Sequence, residues 1–201
     1  MSSGEIGDVL SFWFGSVDAA GFASKETAAR WFKKDPEFDQ EVHARFGAVH
    51  TRLAAGEGES WLAEPRGALA YVIVLDQFSR NMFRDQPGMF ASDARALAAA
   101  RGVVAAGQHT ALTVQERTFL YMPYMHSEAL ADQDECLRLF RALADEVSGD
   151  AKALLDMSVD YSGRHRDIVA RFGRFPHRNK ILGRTSTGEE ATFLEQSGSS
   201  F

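Results

Sequence analysis

The chain has 201 residues, 45% hydrophobic and 25% charged, with a formal net charge of −6. That length suits one domain with a sizeable core, and the acidic balance argues against nucleic acid as a partner, which needs a broad basic face. Cys136 stands alone, the N-terminus lacks a basic and then apolar leader pattern, and the longest apolar run, residues 68–75, is too short to span a bilayer. No disulfide framework, cysteine zinc cage or membrane partner is therefore expected, and a cytoplasmic location is.

In chain order, Ser3 is placed to cap a first helix that carries Ile6, Val9, Leu10, Trp13 and Phe14 and stops at Gly15. Ser24 caps a short helix anchored by Trp31 and Phe32. Asp35 followed by Pro36 is an acidic cap with proline at the first helical position. Phe38, Val42, Phe46, Val49 and Leu53 then form the apolar stripe of the next helix, with His43 and His50 at its edge. Pro65 opens a run to Arg84 that is apolar nearly all round, which predicts a central helix. Ser92 caps the helix that follows. Thr113 and Glu116 make a capping box for a helix that continues through Leu130 and bends at Pro123. Asp132 with Glu135, and Thr187 with Glu190, read as further boxes, and Gly173 stops a long helix that begins after Asp150. No strand pattern survives. The fold class is all-α, with roughly seven to nine helices in antiparallel hairpins, as one domain over 1–196 and a flexible tail over 197–201.

Residues 164–184, RHRDIVARFGRFPHRNKILGR, hold six arginines, one lysine and two histidines against one acid, Asp167. Phe172 and Phe175 make this segment pack, and packing fixes where its arginines point. His165 shares an apolar stripe with Tyr161, Ile168 and Phe172. Phe175 precedes a proline, which predicts extended backbone and sends Phe175, His177 and Asn179 one way and Arg174 and Arg178 the other. Two other stretches put polar groups in apolar company. Asp76 shares a stripe with Leu69, Val72, Arg80 and Phe83, with Arg84 continuing the row. A buried carboxylate needs a partner, so Asp76 is expected to pair with Arg80, as a structural tie or as a site wall. His126 lies on the stripe of Phe119, Met122 and Leu130, and Glu128 falls on the opposite side of an ideal helix. The H-S-E string lacks the cysteines of a zinc-deaminase signature and no tight metal spacing occurs, so neither metal nor other cofactor is expected. P-loop, dinucleotide and nucleophile-elbow patterns are absent.

Three strings, DQFSRNMFR, FLYMPYMHSE and RFGRFPHRN…LGR…ST…EE..FL, together resemble the domain-of-unknown-function 924 family of mainly bacterial proteins, over about Trp13 to Leu194. The resemblance implies an all-helical fold similar to tetratricopeptide-repeat proteins and a motif set at the quoted positions. It implies no activity. Tyr124 stands where the family carries a small residue or leucine.

Arginine's planar fork suits carboxylates and phosphates, so the cationic excess points to a polar pocket for a small anionic ligand, a phosphate- or carboxylate-bearing metabolite or a peptide terminus. Its walls would be Asp76, Arg80, Arg84, Arg174, His177, Arg178, Asn179 and Arg184. The same stretches could instead serve a hydrolase or acid–base enzyme with His126, Glu128 and His165 as catalytic groups. A protein-interaction scaffold follows from fold analogy alone, and a solvated basic surface around a C-terminal clasp is the structural alternative. No pattern sets an oligomeric state.

Overall fold

The computed structural model describes residues 2–199; the last two positions of the expected tail lie outside them. Among the described residues the regular structure is helical, apart from one isolated β-bridge between Val17 and Ala23. Backbone contacts divide the chain into two compact units, Met1–Arg84 with Gly88–Pro123, and Asp85–Pro87 with Tyr124–Phe201.

The first unit contains α1 (Ser2–Phe14), α2 (Lys25–Trp31), α3 (Pro36–Ala54), α4 (Pro65–Val72), a π-helical segment (Ile73–Phe78), α5 (Ser79–Met82), α6 (Asp93–Ala105) and most of α7 (Val114–His126). Its core is aromatic. Trp13 meets Phe78 and Phe119 edge-on at 5.6 and 5.5 Å, geometries that favour the ring quadrupoles. Ser3 lies inside α1 and does not cap it. Asp35 does cap α3, its carboxylate accepting the Glu37 and Phe38 N–H groups. The stripe of α3 is Phe38, Val42, Phe46, His50 and Leu53. His50 replaces the expected Val49 because its Nε2 finds the buried Ser79 Oγ at 2.8 Å, which removes the penalty of burying an imidazole. Trp31 anchors α2 by donating from Nε1 to the Trp13 carbonyl at 2.9 Å. Phe32, just past the helix end, is 73% exposed and anchors nothing. Residues Gly67 through Ser79 are buried, as the apolar pattern requires. Gly67 lets the carbonyl of Trp61 lie against α4, where a Cβ would collide with it.

The second unit is built on a helical hairpin, α8 (Leu130–Asp145) and α9 (Gly149–Phe172), followed by a 3₁₀ turn (Pro176–Arg178) and α10 (Gly188–Leu194). Gly173 ends α9 at φ 67°, its N–H bonded to the Val169 carbonyl at 2.8 Å, the left-handed stop that glycine adopts without penalty. Ile168, Val169 and Phe175 form an apolar cluster on which Phe172 and Phe193 pack. Thr187 and Glu190 form the expected capping box of α10, and Thr113 and Glu116 bond reciprocally ahead of α7. The expected Asp132–Glu135 box is not made. Ala129 is the cap residue of α8, and Asp132 accepts the Ser127 hydroxyl at 2.5 Å instead.

Gln133, fully buried, donates from Nε2 to the carbonyls of Met125 and Ser127 at 2.7 and 2.6 Å, and more distantly to Tyr124 at 3.4 Å. It thereby serves the carbonyls that the end of α7 leaves without helical partners. Gln133→Leu keeps the volume and orphans them, so it is expected to lower stability by about 1–3 kcal/mol in urea denaturation. Gln133→Glu, which sets an acceptor against acceptors, should be worse.

Candidate functional site

Helix α7 stops at His126, so Glu128 lies in the turn before α8 and not on the far side of a continuing helix. From there its Oε1 accepts the Phe175 N–H at 2.8 Å and Arg184 Nη2 at 2.9 Å, while Oε2 accepts Arg184 Nη1 at 2.7 Å. Arg184 Nη2 also donates to the Phe175 carbonyl at 3.1 Å. One carboxylate and one guanidinium thus clamp both backbone groups of a fully buried phenylalanine. Burial opposes ionisation of Glu128, but the Arg184 and Phe175 hydrogen bonds and the charges of Arg184 and Arg178 outweigh it and hold the carboxyl below its usual range. A carboxylate so held is not a general acid at neutral pH.

Phe175 is also the surface against which the imidazoles gather. His165 and His177 lie with ring centres 5.6 Å from it, and the Arg178 guanidinium stacks on it at 4.6 Å. The expected extended alternation is broken here. Residues 176–178 close into a 3₁₀ turn, which returns Arg178 to the ring instead of sending it away. Asn179 is buried and its amide donates to Ser186 Oγ and Glu190. His165 Nδ1 faces the Tyr161 carbonyl at 2.8 Å, so that nitrogen carries the proton and Nε2 the lone pair. Burial pushes His165 down to about 3, with His126, His177 and Arg178 adding to the effect and the Tyr161 carbonyl opposing it. Burial followed by the Arg178 charge pushes His177 down to about 4. Both imidazoles are neutral at pH 7.

The remaining arginines of the basic segment meet acids drawn from outside it. Arg174 forks onto Glu190 at 2.6 and 2.7 Å and pulls that carboxyl down to about 2. Arg164 pairs with Asp160, Arg166 with Asp134 and Arg171 with Glu189. Much of the charge concentration seen along the chain is therefore matched in space.

Asp76, Arg80 and Arg84 belong to the first unit and are engaged there. Asp76 is fully buried inside the π segment, and its Oδ2 accepts Gln77 Nε2 at 2.7 Å. Adjacent residues do not face each other on an α-helix; the wider π turn allows it. The expected Asp76–Arg80 pair is present but loose at 3.4 Å, and Arg80 lies closer to Asp93 at 3.0 Å and also bonds the Met89 carbonyl. Burial works against the Arg80 charge, but Asp76 and Asp93 overcome it and raise its pKa. Arg84 forks onto Asp39 at 2.7 and 2.8 Å, and Asn81 donates to the same carboxylate. Ser79 and His50 look like half of a nucleophile pair. However, Ser79 donates its proton to the Leu75 carbonyl at 2.7 Å, so His50 Nε2 must donate to Ser79. The hydrogen bond runs the wrong way for a histidine base to activate the serine.

Asp39, Asp93, Gln133 and Glu190 complete these networks and were not singled out as site residues in the sequence. The capping box around Glu190 was the one local signal among them. Among the described residues, no group of three or more His, Cys, Asp and Glu is arranged to hold a metal ion, and no helix is long and apolar enough to cross a membrane. Cys136 is buried and its thiol is pushed up to about 12, chiefly by burial, so it is inert as a nucleophile near pH 7.

No curated protein matches the chain. A solved structure, that of the protein of unknown function ATU0120 from Agrobacterium tumefaciens, is similar over 98% of this chain and 100% of its own, at 34% identity and a TM-score of 0.82. The family model described as bacterial protein of unknown function (DUF924) matches residues 9–198, which span both motif-bearing units. The chain accordingly belongs to the DUF924 family of bacterial proteins.

Proposed function

We propose that the second unit binds a small anion at the cluster built on Phe175. The observation that carries this reading is the charge balance around one ring. Arg178 stacks on Phe175, His165 and His177 lie against it, and Arg184 brings a second guanidinium. Glu128, the carboxylate bonded here, already has both oxygens engaged, and the buried Arg184 Nε finds no acceptor among the described residues. A shielded setting that holds two guanidiniums beside the Glu128 carboxylate gains from a phosphate or carboxylate. Burial is the main cause of the low titration of His165 and His177, and the Arg178 charge adds to it at both. The ligand class is a phosphate- or carboxylate-bearing metabolite or a peptide terminus.

Inorganic phosphate at low ionic strength is the probe. At a concentration a hundred times its dissociation constant, phosphate should stabilise the protein by about 2.7 kcal/mol, about 5–10 °C in melting temperature for a chain of this size. In NMR titrations the His177 resonance should move toward its ordinary pKa, because a bound anion reverses the local field. Arg178→Gln should abolish both effects. An unchanged melting temperature together with an unchanged His177 titration in the unsubstituted protein would overturn the reading.

A further inference from the structure

We infer that the first unit carries a separate binding cleft for an apolar α-amino acid, with Arg95 receiving its carboxylate and Glu59 its ammonium. The cleft has a volume of about 400 Å³, within the range of small-molecule sites. Its walls are built from sequence features that the Phe175 cluster does not use. Helix α6 turns Ala98, Ala99 and Gly102 toward it, and these short side chains leave the space. Opposite them stand Leu62, 38% exposed although apolar, and Tyr71, which is buried and whose hydroxyl reaches the Leu53 carbonyl only at 3.5 Å. An apolar side chain lying here would cover Leu62 and meet the edge of the Tyr71 ring.

The two charges of the cleft single out the ligand. Arg30, Arg45, Arg52, Arg66, Arg80 and Arg84 of the same unit all pair with carboxylates. Arg95 is exposed and makes no ion pair and no side-chain hydrogen bond among the described residues. It rests on Gly56, where an added Cβ would lie 3.1 Å from Nη1. Glu59 lines the same cleft and also makes no ion pair, with Arg95 or with any other described residue. Glu59 and Arg95 are exposed at the rim of this largely apolar cleft, and an acid and a base that stand there without joining can both be met by one molecule carrying the opposite charges close together. A guanidinium takes a carboxylate bidentately, and a carboxylate accepts from an ammonium. A free fatty acid would satisfy Arg95 but face Glu59 with like charge; an amine would do the reverse.

The experiment is calorimetric titration of the full chain with leucine and with phenylalanine, alongside 4-methylpentanoate, which lacks the ammonium, isopentylamine, which lacks the carboxylate, and glycine, which lacks the side chain. At least one of the two amino acids should bind, and each of the three controls should bind about tenfold more weakly or worse. Arg95→Gln and Glu59→Gln should each weaken amino-acid binding by a similar factor, with Arg95→Lys restoring part of the loss, and Ala98→Phe should block the cleft. Melting curves of these exposed-site variants verify folding. Absence of binding by both amino acids overturns the inference, as does binding that survives Arg95→Gln. If 4-methylpentanoate binds as well as leucine and Glu59→Gln changes nothing, the zwitterion assignment falls. Phosphate stabilisation, read at Arg178, is independent of every arm.

Discussion

Acidification from about pH 7.5 to about pH 5 should cost the folded protein about 4 kcal/mol, roughly 2 kcal/mol from each of His165 and His177. The direction follows from which state holds the proton. In the unfolded chain both imidazoles titrate near 6.5 and are charged at pH 5, whereas in the native protein they titrate at about 3 and about 4 and remain neutral. The unfolded state therefore binds more protons throughout this window, and stability falls as pH falls. Burial also lowers the pKa of His50, which adds in the same direction. A second loss follows below about pH 4.5. Glu190, held at about 2 by Arg174, and Glu128, held low by Arg184, contribute stability above the unfolded carboxyl range that disappears as they protonate. Urea denaturation across this pH series measures the slope. His165→Asn should remove about half of the first phase and leave the second. A flat profile between pH 7.5 and 5 would show that these imidazoles are not shielded as described.

Glu128→Ala should lower stability by about 3–5 kcal/mol, because it strands a partly buried guanidinium and a buried backbone N–H in one step. The pair is about a quarter exposed, with side-chain accessibilities of 29% and 24%, so solvent can soften the loss toward the lower figure. In a chain of this length that is about 10 °C in melting temperature. Glu128→Gln should cost less, since an amide oxygen still accepts from Phe175. The instructive comparison is Glu128→Ala combined with Arg184→Met. If the carboxylate mainly neutralises Arg184, the double variant should be more stable than Glu128→Ala alone, giving a large coupling energy in a double-mutant cycle. Strict additivity would assign the damage to Phe175 positioning instead.

Helices were legible because their determinants are local. Asp35–Pro36, Thr187–Glu190 and Gly173 each act within one turn, and each occurs where its chemistry requires. Misreadings arose where a partner outside the helix itself decides. His50 looks like a helix-edge residue until Ser79, on another helix, offers it a partner. The Asp132–Glu135 pattern has the spacing of a capping box, but Ser127 takes Asp132. At the candidate site, His165, His177 and Arg178 stood out because the basic segment interleaves them with phenylalanines, and Glu128 because it follows His126 by two residues. Asp76 with Arg80 was readable from its i,i+4 spacing, but the long-range arginine pairs were not, since Asp39 with Arg84 and Asp134 with Arg166 are joined only by tertiary geometry. Gln133 left no signal at all: an uncharged residue in the first turn of a helix looks ordinary until the carbonyls beside it are known.

The wide turn at Ile73–Phe78 makes the length of this apolar run as consequential as its composition. Each residue rotates a helix by about 100°. Deleting one position here, even one aliphatic residue among several, would let the turn relax to an ordinary α-helix. The flanking helices would keep their faces, since the wide turn is what absorbs the additional residue, but the Asp76–Gln77 hydrogen bond that the turn allows would be lost. Exchanges among valine, isoleucine and leucine preserve the turn. Homologues that share this wiring should therefore vary in the identity of Ile73, Val74 and Leu75 more readily than in the length of the turn.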